Sequence, residues 1–153
     1  MADSDEIFLA LNEPLEVAAE RIAAVVGLEF NGDLRADTGA LQYKARARTC
    51  DGTIGVYIGP NTFQPDPDEV QAMDGYGVVV DVQYRTHKAL QAEEARRIFD
   101  RLVAELDDVP ALLSHNLEWL VAAYLPGRET HTFDPGVSLD DPDVDIWSPW
   151  VPS

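Results

Sequence analysis

The side chains in this 153-residue sequence that could do acid–base or metal chemistry are three histidines, one cysteine and a large stock of carboxylates. His131, with Glu129 and Asp134 close by, is the nearest approach to a metal or proton-transfer site, since an imidazole beside carboxylates can ligate an ion or relay a proton. His87 and His115 stand in turn or loop contexts without clustered ligands, which is the setting of ordinary surface histidines. Cys50 sits beside Asp51, whose charge disfavours the thiolate that a nucleophile or metal ligand needs. Asp140, Asp141, Asp143 and Asp145 alternate like the oxygen ligands of a calcium loop, but the central glycine and the closing bidentate glutamate are missing. The sequence has no Gly-rich phosphate loop, no Gly-x-Ser-x-Gly elbow, no paired cysteines and no His-Glu-x-x-His helix. The expectation is a protein that is not an enzyme and carries no cofactor and no metal.

What remains is chemistry of recognition. Two acidic segments combine charge that steers a partner with apolar groups that anchor it. One is the proline-rich loop with Phe63, Asp66, Asp68, Glu69, Met73 and Asp74, and the other is the C-terminal segment with Asp140, Asp141, Asp143, Trp147 and Trp150. A third candidate is a basic stripe of Lys44, Arg46 and Arg48, with Arg85 beside it, set against the alternative that Asp81 and neighbouring carboxylates neutralise it. The net charge of −17 repels nucleic-acid phosphates and anionic lipid, and speeds encounter with a basic partner. Solubility or a salt-rich cytoplasm accounts for the same acidity equally well. Lys44 and Lys88 are the only lysines beside nine arginines.

These residues need elements to hold them. Ile7, Leu9 and Leu11 predict a short first strand, and Leu15, Ala18, Ala19, Ile22, Val25 and Val26 form a helical stripe with Asn12 as N-cap, Pro14 in the first turn and Gly27 at the end. Alternation at Leu41, Tyr43, Ala45 and Ala47, a turn at Asp51-Gly52, and Ile54, Val56 and Ile58 beyond it predict a hairpin over residues 40–58. Residues 59–75 read as a long loop with one helical turn near 68–73. Tyr76, Val78, Val80, Val82 and Tyr84 mark a central strand, and a second helix spans 89–106, with Glu93–Arg97 and Arg101–Glu105 able to pair across its turns. Ala111 to Leu113 and Trp119 to Leu125 predict a final hairpin about His115-Asn116. The predicted fold is α+β, an antiparallel sheet of about five or six strands with two helices on one face and the other face open. The domain is expected to cover residues 1–126, with 127–153 an irregular acidic tail whose Ile146, Trp147, Trp150 and Val151 pack back onto the domain or onto a partner. An acidic N-terminus unlike a secretory signal, and the lack of a long apolar run, predict a cytoplasmic protein that makes no use of a membrane.

Several segments together resemble the Sit-type immunity proteins of bacterial polymorphic-toxin systems: the helix 15–26 running into Gly27-Leu28-Glu29-Phe30, the strand Gly77 to Val82, the helix 93–106, and Val109-Pro110-Ala111-Leu112-Leu113 followed by Trp119-Leu120-Val121-Ala122. The likeness covers residues 7–126, in element order and hydrophobic texture. It implies a cytosolic inhibitor that binds and blocks a cognate secreted protein toxin without catalysis of its own. The acidity fits a toxin with a basic active cleft, and the chain is expected to be a monomer or homodimer. The alternative from the residues alone is a structural or regulatory module that self-associates through the open sheet face.

Overall fold

The computed structural model describes residues 4–32, 39–49, 51–62 and 68–152. Phe63, Asp66 and Cys50 lie outside the described residues. The chain builds β1 (Asp5–Leu9), α1 (Leu15–Val26), β2 (Glu29–Gly32), β3 (Leu41–Arg46), β4 (Thr53–Pro60), β5 (Val78–Gln83), α2 (Lys88–Glu105), β6 (Ala111–His115), β7 (Trp119–Tyr124), β8 (His131–Thr132) and the single turn α3 (Val144–Trp147). Single 3-10 turns lie at Ala72–Gly75, Asp141–Asp143 and Ser148–Trp150. The strands form one antiparallel sheet in the order β2-β3-β4-β5-β1-β6-β7-β8.

The α+β class is as the periodicity predicts, but the sheet has eight strands rather than five or six. The excess includes β8, two residues inside the proline-rich tail that pair with Ala122 and Ala123 and are too short to show a period. The predicted hairpin is β3–β4, paired from Leu41↔Ile58 to Arg46↔Thr53. β5 is central, as its valines suggest, and β6–β7 is the final hairpin, turning through Asn116 and Leu117 at φ of 56° and 53°. The first helix starts one position after Pro14, whose carbonyl receives the amides of Val17 and Ala18, so Asn12 is not its cap. Gly27 closes it in the left-handed region at φ 81°, with its own amide and that of Leu28 on the Ala23 carbonyl. Gly77 is required by close packing, because a Cβ there would come within 2.6 Å of the Leu11 carbonyl oxygen.

Alternation along each strand separates two cores. On the helix side, Ile7, Leu9, Ile54, Val56, Ile58, Val80, Val82 and Leu113 pack under Ala18, Ile22, Ala95, Phe99 and Leu102. On the other side, Phe8, Leu112, Leu120 and Ala123 are covered by Ala72, Met73 and Tyr76 and by Phe133, Val137, Leu139 and Trp147. The tail thus takes the first of its two predicted fates and packs back onto the domain. The sheet face expected to be open is covered over β1, β6 and β7, and it stays accessible toward β3 and β4.

Candidate functional site

The two acidic segments singled out in the sequence meet in the structure. The Ala72 amide donates to the Leu139 carbonyl at 2.9 Å, and Gln71 Nε2 donates to Asp140 Oδ1 at 2.8 Å. Loop and tail are therefore fastened into one surface. Asp68, Glu69 and Val70 are exposed on the loop side, and Asp141, Asp145 and Ile146 on the tail side. Exposed acids beside two exposed aliphatic side chains give a face that attracts cations at long range and offers apolar contact at short range.

Several residues predicted to touch a partner do structural work. Met73 and Trp147 are each 2% exposed and belong to the second core, so they cannot anchor anything outside the fold. Trp147 Nε1 donates to the Asp140 carbonyl at 3.1 Å, which satisfies its polar edge inside that core. Asp74 closes the 3-10 turn, its Oδ2 accepting from the Gln71 amide at 3.0 Å. Asp143 Oδ2 accepts from the Ser138 amide at 2.7 Å and holds the start of the tail turn. Trp150 is half-buried, stacked on His131 with centroids 4.0 Å apart and planes 3° from parallel. Phe133 meets the same imidazole edge-on, so His131 is placed by aromatic packing.

Two buried carboxylates escaped the sequence reading because β1 begins at Asp5, two residues earlier than the apolar alternation indicates. Asp5 faces the helices, where its Oδ1 lies 2.8 Å from His115 Nδ1 and its Oδ2 accepts from Gln91 Nε2 at 2.8 Å. Gln91 Oε1 in turn accepts from the Tyr84 amide, tying β1, β5, α2 and β6 together. Glu6 points to the opposite face, beside Asp81 across the strand pair, and is 4% exposed. Its Oε1 accepts from Ser114 Oγ at 3.1 Å and from the Leu117 amide at 3.2 Å. Burial pushes the Glu6 carboxyl up to about 7, against hydrogen bonding from Ser4, with Asp81's charge adding to the rise. Glu6 and Asp81 line a concavity of about 210 Å³ with Tyr57, Pro60, Val79 and Leu117. A carboxyl poised near neutrality in a partly apolar depression can accept or donate a hydrogen bond according to pH. Acidic residues directly abutting a run such as Ile7-Phe8-Leu9 are the signal that points to them.

The basic stripe is also rearranged. Lys44 and Arg46 project from the side of β3 away from the helices, and pair with Glu29 at 3.8 Å and Asp51 at 3.6 Å rather than with Asp81. Arg48 lies past the end of β3, where its amide is bound to Glu94 on α2. Arg85 is exposed and hydrogen-bonds Gln83 at 3.3 Å. Among the described residues, no group of three or more His, Cys, Asp or Glu is placed to hold a metal ion, and no helix is long and apolar enough to cross a membrane. Compared with known proteins, the chain matches no family model, no curated protein and no solved structure.

Proposed function

We propose that this chain is an immunity-type protein of the cytoplasm that binds a cognate protein toxin and occludes its active surface, using the acidic face built from the loop and the tail. The observation that carries the reading is the fastening of loop to tail through Ala72–Leu139 and Gln71–Asp140, which ties the segment bearing exposed Asp68, Glu69 and Val70 to the one bearing exposed Asp141, Asp145 and Ile146. A fixed patch loses little side-chain and loop entropy on binding, and its charge suits a toxin whose working cleft is basic. The partly covered sheet face leaves less surface for self-association, the competing reading.

The test is co-purification with secreted-toxin C-terminal domains encoded beside the gene, followed by association kinetics at several salt concentrations. The expected result is a one-to-one complex whose association rate falls as salt rises, and falls about tenfold when Asp68→Asn, Glu69→Gln, Asp141→Asn and Asp145→Asn are combined. Rates indifferent to both salt and these substitutions would remove the acidic face from the mechanism.

A further inference from the structure

The acidic chain has a basic end. Five of its eleven basic residues, Lys44, Arg46, Arg48, Arg97 and Arg101 with them, line two adjoining concavities where the β3–β4 hairpin meets the end of α1 and the face of α2. The pocket nearer the helices, of about 270 Å³, has Val26, Ala45, Ile54 and Ile98 as its apolar floor. Around that floor stand Arg48, Arg97 and Arg101, all exposed, and Arg46, which projects from the other side of β3, contributes to the rim.

One acid, Glu94, lines the same pocket, and it is committed elsewhere. It is 1% exposed and accepts from the Arg48 amide at 2.9 Å, the Thr49 amide at 2.7 Å and Thr49 Oγ1 at 2.6 Å. Burial by itself would raise its carboxyl, but these hydrogen bonds and the Arg97 charge hold it below the usual carboxylate range. It therefore stays ionised while fixing the hairpin end against α2. With four arginines and this one carboxylate among its residues, the lining has a formal charge of +3. Arg48 and Arg101 have no ion pair among the described residues, and the pairs Arg97–Glu93 at 3.3 Å and Arg46–Asp51 at 3.6 Å join exposed side chains. Exposed pairs of this kind contribute little and exchange readily for a better anion.

We propose that this pocket binds the dianionic phosphoryl group of a phosphate monoester bearing an apolar substituent, the guanidinium forks holding the oxygens and the substituent lying on the Val26–Ile54–Ile98 floor. Guanidinium forks match phosphoryl oxygens in pairs, and a dianion offsets a +3 lining better than a single carboxylate does. A nucleic-acid strand meets the field of the whole −17 molecule, whereas a small ester meets chiefly the local one.

The experiment is an amide and guanidinium NMR titration of the full chain with phenyl phosphate, inorganic phosphate and benzenesulfonate. Saturable shifts at Arg48, Thr49, Arg97 and Arg101 are expected, with phenyl phosphate bound roughly tenfold more tightly than the monoanionic benzenesulfonate and more tightly than inorganic phosphate. Its affinity should drop as pH falls through about 6, where the ester loses its second charge. A phosphoserine tripeptide run alongside assigns the source: tighter binding than phenyl phosphate indicates a modified protein side chain, and weaker binding a small organic ester. Arg48→Gln with Arg101→Gln should abolish the shifts, Arg101→Gln alone should weaken binding severalfold, and Lys88→Gln, outside the pocket, should leave it unchanged. Non-saturating shifts, equal affinity for phenyl phosphate and benzenesulfonate, or binding that survives the double substitution would overturn the proposal.

Discussion

The two ends of β4 carry opposite charge and are built on opposite plans. Eight residues of strand put them roughly 23 Å apart. At the Pro60 end, the acids of the loop and tail are partly used up inside the structure: Asp74 and Asp143 hold turns, Asp140 ties tail to loop, and Trp147 and Met73 fill a core, so that the outer acids are the ones left exposed. At the Thr53 end, a single buried acid, Glu94, fastens the hairpin, and the arginines around it are left exposed. The difference teaches that density of one residue type in the sequence is a poor measure of available charge. An acid-rich segment can be mostly scaffold, while a few arginines scattered over residues 46–101 converge on one pocket.

The largest expected effect breaks the acidic end. Trp147→Ala empties the middle of the second core and should cost about 3–5 kcal/mol in denaturant unfolding, with loss of protection from amide exchange over 133–150. If stability hardly changes, the tail is an appendage and the contrast between the ends fails.

Next in size comes Glu6, on the sheet between them. Its folded carboxyl is raised from 4.5 to about 7, so the folded state holds the proton more tightly than the unfolded chain, and stability falls as pH rises from about 4.5 to 7. Glu6→Gln mimics the protonated form and should gain up to about 3 kcal/mol at pH 8 over the parent, a gain that vanishes near pH 4. A pH-independent difference in thermal melts would refute the shift.

Smaller is Glu94→Gln at the basic end, expected to cost about 1–2 kcal/mol because it weakens acceptors for the Arg48 and Thr49 amides. Smallest is Arg101→Gln, which should move stability by no more than about 0.5 kcal/mol, as befits an exposed side chain outside any ion pair among the described residues. A loss comparable to that of Glu94→Gln would mean that the arginines, too, are scaffold.

Much of the fold is legible because period and punctuation act locally. The stripe ending at Gly27 and the alternation through Tyr84 each fix an element within a few residues of where it stands. The predicted hairpin is β3–β4, although Asp51-Gly52 is not its tight two-residue turn: the last pair is Arg46↔Thr53, and Gly52 does not take a positive φ. The same local reading stops short at β1, where Asp5 and Glu6 look like a solvated terminus, and at α2, where Glu94 continues the buried stripe of Gln91, Ala95 and Ile98 although its charge suggests water. It also misses β8, whose two residues carry no pattern. Of the partner-binding candidates, the acids Asp68, Glu69 and Asp141 are exposed, whereas the apolar Met73 and Trp147 are buried.

The sequence by itself determined the α+β class, both long helices, the two hairpins and the excess of negative charge, because each depends on side chains a few positions apart or on composition alone. Only the tertiary structure decided which faces the tail and the loop cover, which carboxylates are buried, and which arginines gather. Those outcomes depend on contacts between residues as far apart as Gln71 and Asp140 or Thr49 and Glu94, and no local period encodes which distant partner will satisfy a polar group taken out of water.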